Sequence, residues 1–170
     1  MATSTTLDRD AATAAQPTAP DEAMQRLEVF VGKWVVEGKQ LAGLVLKSAD
    51  ITALETYEWL PGRFFLAHNF EAQIGADAAS CIDIIGKGED ANSLASHTFY
   101  SNGTSREWKY TERQGTWVVE GTANMGGTPG QVRCTSVFSD DGKAIKGTWE
   151  SSADGSQWEP FWHTRSKKIT

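Results

Sequence analysis

The sequence predicts an all-β protein: a closed up-and-down antiparallel barrel of about ten strands, with a short N-terminal helix capping one end. Three observations carry this. After Gly32 the chain breaks into short runs punctuated by turn formers, among them Pro61-Gly62, Asn102-Gly103, Gln114-Gly115, Asp141-Gly142 and Asp154-Gly155. The links are short throughout, so consecutive strands pair with each other. A ten-strand meander leaves two exposed edges unless it closes, and closure removes them.

Taken in order, residues 1–19 are Ala, Thr, Ser, Asp and Pro with almost nothing to bury. They read as a disordered tail ahead of a barrel domain over 20–170. Pro20 and Asp21 open the helix, with Asp21 as its cap and Glu22 in its first turn. Met24, Leu27 and Val31, with Phe30 beside them, form the stripe it buries, and Gly32 ends it. Ten strands follow, read over Lys33–Lys39, Thr52–Trp59, Arg63–Ile74, Ser80–Gly86, Leu94–Ser101, Ser105–Glu112, Thr116–Thr122, Gln131–Ser139, Ala144–Ser151 and Trp158–Ser166.

Period-two alternation assigns several faces. The sixth run turns Arg106, Trp108 and Tyr110 inward, against Ser105, Glu107, Lys109 and Thr111. The third turns His68 and Phe70 inward with Leu66 and Ala72, and the ninth Ile145, Gly147 and Trp149. The first offers Trp34 and Val36, the seventh Trp117 and Val119. The fourth, fifth and tenth runs are ambiguous in pattern and stay unassigned. A short echo, Gly32-Lys-Trp-Val-Val-Glu-Gly38 against Gly115-Thr-Trp-Val-Val-Glu-Gly121, reads either as duplication of a half-barrel or, more simply, as shared strand-opening chemistry: a turn glycine, a polar residue, then an inward Trp.

Bulk properties narrow the function classes. A net charge of −6 argues against nucleic acid and anionic membranes as partners. No run is apolar and long enough to span a bilayer, and the N-terminus lacks the apolar core of an export signal, so the expected location is cytoplasmic. Cys81 and Cys134 read as two buried free thiols rather than a disulfide. Seven tryptophans need a reason: they either fill a small barrel or line an aromatic cavity.

The run Leu27-Glu-Val-Phe-Val-Gly-Lys-Trp34, a short helix leading into Gly-x-Trp on the first strand, resembles the calycin superfamily of lipocalin-like barrels. Glu55-Thr-Tyr-Glu-Trp-Leu-Pro-Gly62, Phe64-Phe65, Phe138-Ser-Asp-Asp-Gly142, Gly147-Thr-Trp-Glu150 and Trp158-Glu-Pro-Phe-Trp162 extend the likeness. Over 24–169 it is similar to a family of small bacterial proteins designated only as a domain of unknown function. The resemblance implies a ligand-binding barrel and transfers no catalytic residue. It also implies a last-strand arginine, here Arg165, packed over Trp34 as a structural plug. The Arg-x-Tyr of fatty-acid-binding barrels is replaced by Arg165-Ser-Lys167. A fainter likeness to nitrobindin-type ten-strand barrels makes His163 a candidate axial ligand for haem.

The expected function is binding of a small hydrophobic or amphipathic molecule in the interior, by Arg106, Trp108, Tyr110, His68, Phe70, Trp117 and Trp149. Rival readings are a small-barrel enzyme of cyclase or isomerase type acting on a hydrophobic metabolite, a haem protein using His163, and a solid barrel with no cavity. No metal constellation is visible: His68, His97 and His163 are isolated, with no paired cysteines. Glu55 and Asp83 read as outward, solvated charges; facing inward, either would be a buried acid fit for general acid–base chemistry. The mouth is expected opposite the helix, where 40–51, Gly75–Ala79 and the Gly-rich 123–130 form long loops, with Arg106 just below the rim.

Overall fold

All ten strands form, and they close. The computed structural model describes residues 19–20, 22–43, 46–90, 93–125 and 127–170; the tail through residue 18 and the cap at Asp21 lie outside them. A one-turn helix α1 (Glu22–Gln25) leads into a 3-10 segment over Arg26–Phe30. The strands are β1 (Gly32–Gln40), β2 (Ala49–Trp59), β3 (Leu66–Ile74), β4 (Asp77–Lys87), β5 (Leu94–Tyr100), β6 (Ser105–Arg113), β7 (Thr116–Met125), β8 (Thr128–Phe138), β9 (Ala144–Ser152) and β10 (Glu159–Lys168). Each pairs antiparallel with its sequence neighbours, and β10 returns to β1, so no edge is left open. Among the described residues no helix is long and apolar enough to cross a membrane.

The N-terminal segment plugs one end of this barrel. Its buried residues are Ala23, Met24, Leu27 and Phe30. Met24, Leu27 and Phe30 are three apart, the period of a 3-10 turn rather than of an α-helix, so Phe30 takes the inward position expected of Val31. Phe30 packs its ring against Tyr57, Trp117 and Phe138 at centroid distances of 5.4, 5.0 and 5.1 Å. Its carbonyl accepts the indole N–H of Trp34 at 2.7 Å, so the fully buried Trp34 has its polar atom satisfied. Outside, Glu28 takes the Trp59 indole N–H at 2.9 Å and pairs with Arg63, tying the plug to the β2–β3 loop. The echoed glycine-x-tryptophan units land together: Gly32 and Gly115 have positive φ, and Trp34 and Trp117 are both buried at the plugged end.

Two expectations about the wall need correcting. The cation over Trp34 is Lys168, whose Nζ lies 5.2 Å from the ring, and not Arg165. The β1–β10 register pairs Trp34 with Lys168 and Glu37 with Arg165, so Arg165 is on the outer face, exposed. At the opposite end, the stretches 75–79 and 123–130 are not long loops. β3 and β4 meet in a two-residue turn at Gly75-Ala76, and the β7–β8 ladder runs on to Met125 opposite Thr128, with Gly75 and Gly127 at positive φ. Pro129 is carried in the ladder opposite Asn124, so its neighbourhood is strand and not loop. The longer connections left at that end are 41–48 and 153–158.

Candidate functional site

The interior is hollow. Beyond the plug lies a cavity of about 340 Å³, at the small end of the range for ligand sites. It runs toward the end opposite α1, where Gln40, Leu46, Ser80, Tyr100, Ala123 and Phe161 line it. Gln40 accepts the Trp162 indole N–H at 2.9 Å and donates to the Lys47 carbonyl at 2.8 Å, which ties Lys47 to the rim.

Strands β6–β10 make a wall built around aromatic rings, with Ser136, Thr164 and Ser166 as its small polar members and Arg106 at the rim. Trp108 and Trp149 meet edge-to-face at 5.8 Å, and Trp149 in turn contacts Trp162 at 6.1 Å. Trp108 reaches this position because Gly121 faces it across the β6–β7 ladder: a Cβ there would lie 2.8 Å from the indole. Val119, Val132 and Ile145 fill the spaces between the rings.

Strands β2–β5 make a different wall. The ladder sets Tyr57 opposite His68, His68 opposite Asp83, and Asp83 opposite Thr98, one inward row across four strands. Asp83 accepts from His68 Nδ1 at 2.7 Å, from the Thr98 hydroxyl, and from Ser96 Oγ at 3.5 Å. A carboxylate at Asp83 places the imidazole proton on Nδ1 and leaves a lone pair on Nε2. The ring is stacked on Tyr57 at 4.0 Å and 3°, so it cannot swing. Its Nε2 is, among the described residues, the buried side-chain polar atom without a hydrogen-bond partner, and His68 is 8 % exposed. Glu55, one step nearer the mouth, brings Oε1 to 3.9 Å from that nitrogen. Burial pushes the Glu55 carboxyl above its usual range, opposed by His68 and assisted by Asp83. Burial likewise pushes the Tyr57 and Tyr110 hydroxyls well up, and the thiols of Cys81 and Cys134 to about 12, so both cysteines are free but weak nucleophiles.

Glu55 and Asp83 therefore face the cavity, against the outward placement expected for them. On β4 it is Ile82 that points out, 49 % exposed. Of the residues expected to touch a ligand, Arg106, Trp108, Tyr110, His68, Phe70 and Trp149 line the cavity. Arg106 is half-buried near the rim, its guanidinium 5.2 Å from the Tyr100 ring. Trp117 does not line it; it is packed under Phe30 in the plug. His163 stands exposed on the outer face with Nδ1 3.5 Å from Thr148 Oγ1, so it cannot present an axial ligand to a group held inside. His97 is also outside, 3.4 Å from Glu107. Among the described residues no three His, Cys, Asp or Glu side chains are arranged to hold a metal ion.

No family model matches the chain, and no curated protein does. Solved structures do. Rv2717c from M. tuberculosis superposes with a TM-score of 0.64 over 89 % of this chain and 99 % of its own, at 13 % identity. The S-type phycobiliprotein lyase CPES from Guillardia theta superposes with a TM-score of 0.53 over 86 % of this chain and 92 % of its own, at 10 % identity. At such identities the likeness concerns architecture alone: the chain shares its antiparallel barrel fold with both.

Proposed function

We propose that the barrel binds one small amphipathic molecule in its interior, its apolar body against the aromatic wall and one oxygen against His68 and Glu55. The observation that carries this is an unsatisfied, buried His68 Nε2 opening into an otherwise mostly apolar cavity of about 340 Å³. A protonated Glu55 donates and Nε2 accepts, so a single hydroxyl oxygen lying between them accepts from one and donates to the other. The 3.9 Å separation is too long for a direct hydrogen bond and suits a bridging atom. The volume suits a compact one- or two-ring molecule. Arg106 at the rim would favour ligands that carry an acid at the far end. One structural neighbour, a phycobiliprotein lyase, has a name that places a barrel of this fold in small-molecule work.

The test is titration with one- and two-ring alcohols, ketones and acids, followed by quenching of tryptophan fluorescence. Saturable binding is expected, weakened at least tenfold in Trp149→Ala. No saturable quenching by any of these classes would overturn the reading.

A further inference from the structure

Resting on that reading, we propose that His68 and Glu55 form a general acid–base pair that moves a proton on an apolar, enolisable ketone, with Asp83 as the positioning residue. Three features distinguish this arrangement from a polar patch that merely binds. Asp83 holds Nδ1 at 2.7 Å, which aims the basic nitrogen at the cavity and supports the imidazolium once it forms. Tyr57, stacked at 4.0 Å, locks the ring plane. Glu55 sets a carboxyl beside the base, 3.9 Å away.

The spacing fits a carbonyl oxygen and its α-carbon, which are two bonds apart. The oxygen can sit about 2.7 Å from Glu55 while the α-carbon sits roughly 3.3 Å from Nε2, the separation of a reactive contact. In the first step His68 Nε2 takes the α-proton. The C–H electron pair becomes the enol double bond, and the carbonyl oxygen takes the proton of Glu55. In the second step the enol O–H returns its proton to Glu55, and His68 returns its proton to carbon. Delivery to the α-carbon is exchange. Delivery to a γ-carbon, where the substrate began with a β,γ double bond, moves that bond into conjugation. Atoms and electrons balance, and no oxidant, reductant or co-reactant is needed. A general base of this kind contributes about 10²–10⁴-fold.

The decisive experiment incubates the full chain with 2-tetralone, a two-ring ketone, in D₂O. Loss of the α-proton signals is followed by NMR, and binding is measured in parallel by tryptophan fluorescence. Wild-type protein is expected to exchange the α-protons about 100-fold faster than buffer. His68→Gln should return the rate to that of buffer. Glu55→Gln and Asp83→Asn should slow it at least tenfold while the dissociation constant changes little, a split that a purely structural role for these residues would not give. Binding without exchange above buffer overturns the proposal and leaves the ligand-binding reading standing. Exchange undiminished in Glu55→Gln or His68→Gln also overturns it. Absence of binding removes both readings for this class of compound. The wild-type measurement decides even where His68→Gln fails to fold.

Discussion

The two walls of the cavity are built by the same rule and arrive at opposite chemistry. Strands β6–β10 point Trp108, Val119, Val132, Ile145 and Trp149 inward, and these need only to pack. Strands β2–β5 point Glu55, His68, Asp83 and Thr98 inward, and each of these must find a partner or carry a desolvation cost of about 1–3 kcal/mol. The second wall meets that demand internally at Asp83 and Thr98, and leaves His68 Nε2 and the Glu55 carboxyl facing each other 3.9 Å apart. The aromatic wall is explained by volume alone. The polar wall is not explained by stability, because a buried charged cluster can often be replaced by apolar side chains with no loss.

The two walls should respond differently to mutation. The largest effect is expected from Asp83→Ala, which strands the His68 N–H and two hydroxyls in the interior. It should cost about 3–5 kcal/mol in denaturant unfolding. Trp149→Ala removes a larger side chain but one that already borders empty space, so a smaller loss of about 1–3 kcal/mol is expected. Equal losses would erase the distinction between the walls.

Glu55 gives a signed pH test. Its carboxyl is raised above the ordinary 4.5, so the folded state binds more protons than the unfolded state above that pH. Glu55 therefore makes stability fall as pH rises from about 4.5 through its raised value, and Glu55→Gln should lose that slope. Indistinguishable slopes in the two proteins would place Glu55 in water. At the rim, Arg106→Ala should weaken ring-bearing acids by about 1–2 kcal/mol and leave neutral ketones unaffected. The smallest effect concerns the plug. A double-mutant cycle between Trp34 and Lys168 should show about 0.5–1 kcal/mol of coupling, and the same cycle with Arg165 none.

The residues legible from sequence alone were those on strands with clean alternation. Arg106-x-Trp108-x-Tyr110 and Ile145-x-Gly147-x-Trp149 declared their faces, and turn dipeptides declared the meander. The polar wall was half hidden. Charge argues for solvent, and Ile82-Asp83-Ile84 carries apolar residues at both parities, so the strand gave no face of its own. A signal was nevertheless present in the turn. A two-residue hairpin at Gly75-Ala76 forces Asp83 opposite His68, and reading 75–79 as a loop concealed that register. Arg165 failed for a related reason. A register shift between Pro160 and Trp162 in β10, invisible as a pattern, accompanies a pairing that sets Lys168 opposite Trp34. Long-range register, more than local propensity, was the missing information.

The central claim is that the polar wall selects an oxygen on an otherwise apolar guest. Titrating 2-tetralone and its parent hydrocarbon tetralin against wild type and Glu55→Leu tests it most directly, since leucine removes the donor that faces the ketone oxygen whereas glutamine would keep one. One retained hydrogen bond to a buried group is worth about 1.4 kcal/mol, or tenfold. The ketone should bind wild type about tenfold more tightly than the hydrocarbon, and Glu55→Leu should lose or reverse that preference. Equal affinities for ketone and hydrocarbon in wild type, or a preference that survives in Glu55→Leu, would contradict an oxygen-selecting role for the polar wall.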